Sequence, residues 1–159
     1  MSDASGIELR EATLADAATL LRMMRALAEQ EPGRIEFDQP AALAAVRLLL
    51  AEPRFGHTWL LWDGATAVGY VALTISFSFE YRGRDAFIDE LYIEPAYRRR
   101  GLGRMAMQFA ELRAKELGVN AVHLEVDRGN DPAMELYRKI GYADHNRYLM
   151  TKWLRKNQD

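Results

Sequence analysis

Apolar residues recur along the chain with two different spacings, and these spacings predict its strands and helices. Alternation of apolar and polar residues predicts strands at Ile7–Arg10, His57–Trp62, Ala67–Phe79, Asp85–Glu94, Ala121–Val126 and Tyr148–Leu154. Apolar residues three and four positions apart predict helices over residues 13–31, 40–53, 104–117 and 131–140. The predicted order is therefore β-α-α-β-β-β-α-β-α-β, and the alternation of strands with helices in the second half predicts at least one parallel pair of strands.

Composition predicts one compact domain over residues 1–159. Of the 159 residues, 49% are apolar and 28% are charged, which is typical of globular proteins. The net charge of −2 gives no basic field that would attract nucleic acid. The first ten residues lack the pattern of a secretory signal, and no apolar run reaches the length of a membrane span. We therefore expect a cytoplasmic protein that binds neither nucleic acid nor a membrane.

Several classes of site are excluded or disfavoured by the residue types present. Because the chain contains no cysteine, it has no disulfides, no thiolate nucleophile and no Cys-based zinc site. The histidines, His57, His123 and His145, are scattered along the chain and predict no metal site.

The most informative segment is the turn after the fourth predicted strand, Arg98-Arg99-Arg100-Gly101-Leu102-Gly103-Arg104. Its two glycines allow a tight turn in which successive backbone N–H groups point into one concavity. The helix that begins here adds the positive end of its dipole, and the arginines add charge, so the segment predicts an anion site that suits a pyrophosphate. It lacks the Lys-Ser/Thr of a Walker loop and the third glycine of a dinucleotide fingerprint. The alternative is a solvated basic turn whose glycines are only structural.

The residues around this turn resemble the acetyl-CoA-binding motif of the GCN5-related N-acetyltransferase (GNAT) superfamily. That motif reads Gln/Arg-x-x-Gly-x-Gly/Ala after a strand, and Arg98, Gly101 and Gly103 occupy its defining positions. A later stretch is similar to the family's next motif, because it contains Asn130, Leu136-Tyr137 and Gly141-Tyr142. The resemblance is strong over residues 85–145 and extends to the rest of the chain only through the order of elements.

The resemblance implies a fold and a mode of acetyl-CoA binding. The expected fold is α/β, with a mixed sheet of about six to seven strands, about four flanking helices, and parallel fourth and fifth strands that splay apart. The pantetheine arm would lie in that splay and pair with the backbone of Leu91, Tyr92 and Ile93. Asn130 would contact the pantetheine amides. The pyrophosphate would bind the turn, namely Arg98, Arg99, Arg100, Gly101, Leu102, Gly103 and Arg104.

Acetyl transfer to an amine needs a base that takes a proton from the ammonium group and an acid that protonates the leaving thiolate. The chain has neither a cysteine nor a persuasive Ser-His-Asp spacing, which favours direct transfer without an acyl-enzyme. The resemblance implies that Tyr137 is the acid, since the family's equivalent tyrosine points its hydroxyl at the thioester sulfur.

Two carboxylates remain open as the base. Asp89 and Glu90 are adjacent on a predicted strand, so we expect their side chains to face opposite ways and only one to reach the cleft. An acidic pair here resembles spermidine/spermine acetyltransferases. Glu125, twelve residues before Tyr137, resembles the Leu-Glu-Val of ribosomal-protein alanine acetyltransferases. We favour Glu90 over Glu125, and deprotonation through a water chain is the remaining alternative.

Acidic residues predict a cationic acceptor. Asp89, Glu90 and the carboxylates of the loop over residues 29–38 would attract a polyamine, an amino acid or an amino sugar. A protein N-terminus is the alternative acceptor. A non-catalytic acetyl-CoA sensor is the alternative from another class, and Tyr137 counts against it because a sensor needs no acid. The tryptophan and tyrosine content also allows a homodimer.

Overall fold

The chain, seen in a computed structural model, is described at residues 6–31 and 36–154. It forms two units, Met1–Glu125 and Val126–Asp159; the first holds the sheet and three helices, and the second holds the fourth helix. The strands are β1 (Ile7–Glu11), β2 (Gly56–Asp63), β3 (Thr66–Ser78), β4 (Gly83–Ile93) and β5 (Ala121–His123). The helices are α1 (Ala17–Gln30), α2 (Gln39–Ala51), α3 (Leu102–Glu116) and α4 (Asp131–Lys139), with short 3-10 turns at Leu14–Asp16 and Pro95–Tyr97.

The strands form one mixed sheet in the order β1-β2-β3-β4-β5. Neighbouring strands from β1 to β4 are antiparallel, and β5 is parallel to β4. A parallel neighbour needs a crossover connection, and α3 supplies it between β4 and β5. The predicted α/β class and the parallel fourth and fifth strands are confirmed.

Helices cover both faces of the sheet, which explains why its central strands are apolar on both sides. On one face, α3 presents the small residues Ala106, Ala110 and Ala114 to the core. On the other face, Leu20 and Met23 of α1 are buried with residues of β2, β3 and β4. In the described parts of the chain, no helix combines the length and the hydrophobicity needed to cross a membrane.

The sheet of the described residues has five strands rather than the expected six to seven. The strand predicted at Tyr148–Leu154 is wrong, because these residues have no regular secondary structure and Tyr148, Met150 and Trp153 are exposed. That prediction depended on alternation and β propensity. A strand also needs the edge of a neighbouring strand for its backbone hydrogen bonds, and a local pattern cannot specify that edge.

Gly69 lies where β3 and β4 approach too closely for a side chain. A Cβ at this position would lie 2.5 Å from the carbonyl oxygen of Tyr92 and 2.9 Å from Cδ1 of Ile93. We expect Gly69→Ala to lower the free energy of unfolding by about 2–3 kcal/mol, as overpacking of an interior does. Urea denaturation measures this change.

Gly118→Ala is the control for this prediction. The Cβ at this position meets no atom within 4 Å, and only the positive φ of +75° opposes alanine. We therefore expect the free energy of unfolding to fall by about 1 kcal/mol. Equal losses in both variants would contradict the steric explanation.

Candidate active site

The sheet opens between β4 and β5, because these strands pair over only a short stretch. Asp85–Phe87 pair with Ala121–His123, whereas the pairing of β4 with β3 continues to Ile93. From Ile88 to Ile93, β4 therefore has a strand partner on one side only among the described residues. Backbone groups on the open side can pair with an extended ligand. This stretch includes Leu91, Tyr92 and Ile93, for which the resemblance implies contacts with the pantetheine arm.

A β-bulge in β4 places two neighbouring carboxylates on one face of the sheet. The register shifts between Ala72 opposite Glu90 and Leu73 opposite Ile88, so Asp89 is an extra residue in β4. Asp89 and Glu90 both line the same pocket on the face covered by α1 and α2. The prediction that only one of them reaches the cleft is wrong, because a bulge breaks the alternation of side chains on which it depended.

The pocket has a volume of about 120 Å³ and lies between α1, α2 and the strands β2 to β4. Its apolar residues are Leu20, Met24, Ala45, Val46, Leu49, Leu50 and Ala72. Thr58 and Tyr70 contribute hydroxyl-bearing side chains to the same lining. Tyr70 is buried, and its hydroxyl donates a hydrogen bond of 2.7 Å to Oε2 of Glu90. This charge-assisted bond fixes the orientation of the Glu90 carboxylate.

The turn before α3 has the backbone geometry of an anion site. Arg99 and Gly101 have positive φ values of 61° and 77°, which helps to turn successive N–H groups to one side. Helix α3 begins at Leu102 without a side-chain cap. The N–H of Met105 donates to the carbonyl of Gly101 at 3.0 Å, so the earlier N–H groups of the helix have no acceptor within it. This end of α3 can therefore bind an anion.

Arg98 connects this turn to the sheet. Its Nε donates to the carbonyl oxygen of Ile93 at 2.9 Å, and its Nη2 donates to the side-chain oxygen of Gln30. The guanidinium also lies over the ring of Tyr92, 5.8 Å from its centroid. Arg98 therefore holds the turn against the end of β4 and against α1, although it is exposed like the other arginines of the turn. Its predicted contact with the pyrophosphate stays a prediction.

A second set of polar contacts fixes the end of β4. The Tyr92 hydroxyl donates to Oε2 of Glu94 at 3.0 Å, and Oε1 of Glu94 pairs with Arg22 of α1 at 2.7 Å. Burial of Tyr92 and its hydrogen bond to the Glu94 carboxylate raise the pKa of the phenol. The phenol therefore stays protonated at neutral pH and continues to donate to Glu94.

Three further candidates lie elsewhere in the chain. Glu125 is exposed and comes after the end of β5. In the C-terminal unit, Asn130 caps α4, because its Oδ1 accepts a hydrogen bond of 3.3 Å from the N–H of Ala133. Tyr137 is half-buried on α4, with its ring edge-to-face to that of Tyr142 at 6.1 Å between centroids. The chemical roles of Glu125, Asn130 and Tyr137 stay predictions.

Sequence reasoning missed Tyr70, Thr58 and the apolar wall of the pocket. Tyr70 lies in an apolar run, so the pattern alone assigns it to the hydrophobic core. A buried tyrosine hydroxyl nevertheless needs a hydrogen-bond partner, and this need is a signal for a polar neighbour. Part of the acidic loop that predicted a cationic acceptor, residues 32–35, lies outside the described residues. Another carboxylate of that loop, Asp38, caps α2 by accepting a hydrogen bond of 3.0 Å from the N–H of Ala41.

The chain is similar to known acetyltransferases along most of its length. Residues 20–142 match the family described as "Acetyltransferase (GNAT) family". The chain is 28% identical over 148 residues to the thialysine N-epsilon-acetyltransferase of Bos taurus, covering 87% of this chain and 85% of the relative. It is 34% identical over 118 residues to the N-alpha-acetyltransferase RimI of Mycobacterium tuberculosis, covering 72% of this chain and 69% of the relative. A structure described as "predicted acetyltransferase with acetyl-CoA" from Clostridium acetobutylicum has the same fold, with a TM-score of 0.79, 18% identity, and coverage of 92% of this chain and 96% of that one.

Proposed function

Because the chain belongs to the GNAT acetyltransferase family and is an N-acetyltransferase, we propose that it uses acetyl-CoA to acetylate the primary amine of a small cationic acceptor. The acceptor classes are a polyamine, an amino acid or an amino sugar. The observation that carries the proposal is the pair Asp89 and Glu90, which lines a pocket from the open stretch of β4. Two carboxylates on one wall attract a cation and disfavour an acidic acceptor. The relative named for thialysine, which acts on an amine of a small molecule, supports this acceptor size.

Two features of the N-terminal unit fit acetyl-CoA. The open edge at Leu91–Ile93 offers N–H and C=O groups to the amides of the pantetheine arm. The uncapped start of α3 and the turn over residues 99–104 offer N–H groups and positive charge to the pyrophosphate. Acetyl-CoA supplies a thioester whose carbonyl carbon an amine can attack. The acetyl-CoA in the solved structure of the same fold supports this assignment.

In the proposed reaction, Glu90 binds the ammonium group and takes one of its protons, directly or through water, so that the nitrogen lone pair attacks the thioester carbonyl. A C–N bond forms and the C–S bond breaks, and the departing thiolate takes a proton. We assign the donation of that proton to Tyr137 because of its place in the family motif. The nitrogen gives up its second proton to water as the tetrahedral intermediate collapses to the amide. Asp89 adds negative charge that favours binding of the cation, and Tyr70 holds Glu90 in position.

The amine at a protein N-terminus is a second candidate acceptor. It is favoured by the 34% identity to RimI, which is named an N-alpha-acetyltransferase. A peptide would present its α-amine to the same carboxylates. Short peptides with free N-termini therefore belong in the panel of acceptors, and faster acetylation of peptides than of small amines would select this candidate.

Glu90→Gln is expected to lower kcat/KM for the amine by about 10²-fold, the lower range for loss of a general base. Glutamine keeps the size of the side chain and can still accept the hydrogen bond from Tyr70, but it has neither the charge nor the basicity. Steady-state kinetics at saturating acetyl-CoA measure the effect. Glu125→Gln tests the rival carboxylate, and we expect it to stay close to wild type. A larger loss in Glu125→Gln would move the base to Glu125, and wild-type rates in both variants would favour a water chain.

A further inference from the structure

The pocket combines an apolar wall with a carboxylate wall. Its seven apolar residues come from α1, α2 and β3, whereas Asp89 and Glu90 both come from β4. Among the apolar residues, Leu20, Val46 and Ala72 are buried, whereas Ala45 is exposed, so this wall runs from the core to the surface. A ligand that satisfies both walls carries a positive charge at one end and hydrocarbon at the other.

We propose that the pocket binds the hydrocarbon chain of the acceptor, so that the substrate class is primary alkylamines whose ammonium group lies at Asp89 and Glu90. The inference rests on the proposed acetylation of a small cationic amine, and it assigns an alkylamine in place of the polyamine, amino acid or amino sugar. An apolar cavity of about 150 Å³ holds a benzene molecule. The volume of about 120 Å³ therefore suits an unbranched chain of about four to five carbons.

The placement of charge agrees with the proposed chemistry. Glu90 immediately precedes Leu91–Ile93, the backbone stretch proposed to pair with the pantetheine arm. An ammonium group at Glu90 therefore lies next to the place of the thioester, and the hydrocarbon tail extends from β4 toward α1 and α2. The reactive amine is thus at one end of the acceptor, and the hydrocarbon tail, which determines specificity, is at the other.

The same lining disfavours an amino sugar. Among the described residues of the lining, only Thr58 and Tyr70 offer polar side-chain atoms besides the carboxylates, and the Tyr70 hydroxyl already donates to Glu90. The several hydroxyls of a sugar would lose their water without gaining partners. A second ammonium group buried against α1 and α2 would meet no carboxylate in the described lining, so a diamine binds only if its far end reaches solvent.

A series of amines from methylamine to hexylamine, with glucosamine added, tests the inference on the wild-type enzyme with acetyl-CoA. We expect kcat/KM to rise about fourfold for each added CH₂ group, the factor that about 0.8 kcal/mol per buried CH₂ gives. The rise should end near butylamine or pentylamine, where the pocket is full. Glucosamine should react more slowly than pentylamine. A flat series, or a preference for glucosamine, would overturn the inference.

Ala45→Phe narrows the pocket, and Ala44→Phe is its matched control. Both alanines are exposed on α2, so both variants should fold, but only Ala45 lines the pocket. We expect Ala45→Phe to lower the ratio of kcat/KM for pentylamine to kcat/KM for methylamine by at least about tenfold, since methylamine has no tail to place. Ala44→Phe should resemble wild type with both amines. Equal effects of the two variants on pentylamine would contradict the assignment of this pocket.

Failure of the inference can be told apart from failure of the proposed function. Acetylation of amines without dependence on chain length overturns the inference and leaves the proposed function in place. Acetylation of no amine overturns the proposed function. Calorimetric titration of pentylamine into the wild type and Ala45→Phe, without acetyl-CoA, then decides the inference: binding by the wild type alone keeps the assignment of the pocket, whereas no binding, or equal binding by both, overturns it.

Discussion

Gly103→Asp is expected to weaken acetyl-CoA binding more than about tenfold, or about 1.4 kcal/mol, while the protein keeps its fold. Gly103 lies in the first turn of α3, where a Cβ would meet Cδ2 of Leu91 at an ordinary 3.7 Å, so the side chain fits. A carboxylate in the first turn of a helix favours the helix through its dipole. The same carboxylate competes for the N–H groups proposed to bind the pyrophosphate and repels its charge. Isothermal titration calorimetry measures the affinity, and circular dichroism checks the fold.

Gly103→Asn separates charge from size in this experiment. Asparagine has the shape of aspartate without its negative charge, so we expect a clearly smaller loss of affinity than in Gly103→Asp. Equal losses would mean that size alone blocks the ligand. Unchanged affinity in a folded Gly103→Asp variant would contradict the assignment of the pyrophosphate to this turn.

Tyr137→Phe is expected to lower kcat by about 10²-fold, the lower range for loss of a general acid. Phenylalanine keeps the ring that packs edge-to-face on Tyr142 and removes only the proton donor. Affinity for acetyl-CoA should barely change, because a loss confined to kcat is the signature of an interaction made mainly in the transition state. Single-turnover rates are the proper measurement, since they report the acetyl transfer itself even when product release limits kcat.

Tyr142→Phe is the matched control for the role of Tyr137. It removes a hydroxyl from the partner ring in the same C-terminal unit, so it reproduces any general disturbance of this aromatic pair. We expect a single-turnover rate close to wild type. A Tyr137→Phe variant that reacts as fast as wild type, or a Tyr142→Phe variant that loses as much, would remove Tyr137 from the proposed mechanism.

Features with local signals could be predicted from the sequence. Gly101 is the clearest case, because the turn before α3 needs a positive φ and the chain has glycine there. The helix predicted to begin at residue 40 begins at Gln39, because proline suits the first turn of a helix and this preference acts within a few residues. The order of elements predicted at least one parallel pair, because parallel neighbours need a crossover connection such as α3, and the resemblance to the family implied that the pair is the fourth and fifth strands.

Features that depend on contacts between distant segments could not be predicted. The bulge at Asp89 arises from the register of β4 against β3, which the sequence of β4 alone does not specify. The apolar pocket exists because α1 and α2 pack on the sheet without filling the space beside Tyr70. The periodicity of apolar residues predicts which face of a helix is buried, but not how closely that face packs against the residues opposite it. The strand predicted at Tyr148–Leu154 is wrong for the same reason, since pairing depends on an edge elsewhere in the chain.

The most direct test of direct acetyl transfer from acetyl-CoA to a small cationic amine is a mass-balance measurement. The wild-type protein is incubated with acetyl-CoA and each member of a panel of alkylamines, amino acids, amino sugars and short peptides. Free CoA thiol and N-acetylated product are then quantified together, and the mass of the intact protein is measured by mass spectrometry. The proposal predicts equal amounts of CoA and N-acetylated small amine, with no acetylated protein intermediate. Release of CoA with no acetylated small amine, or product from peptides alone, would contradict it.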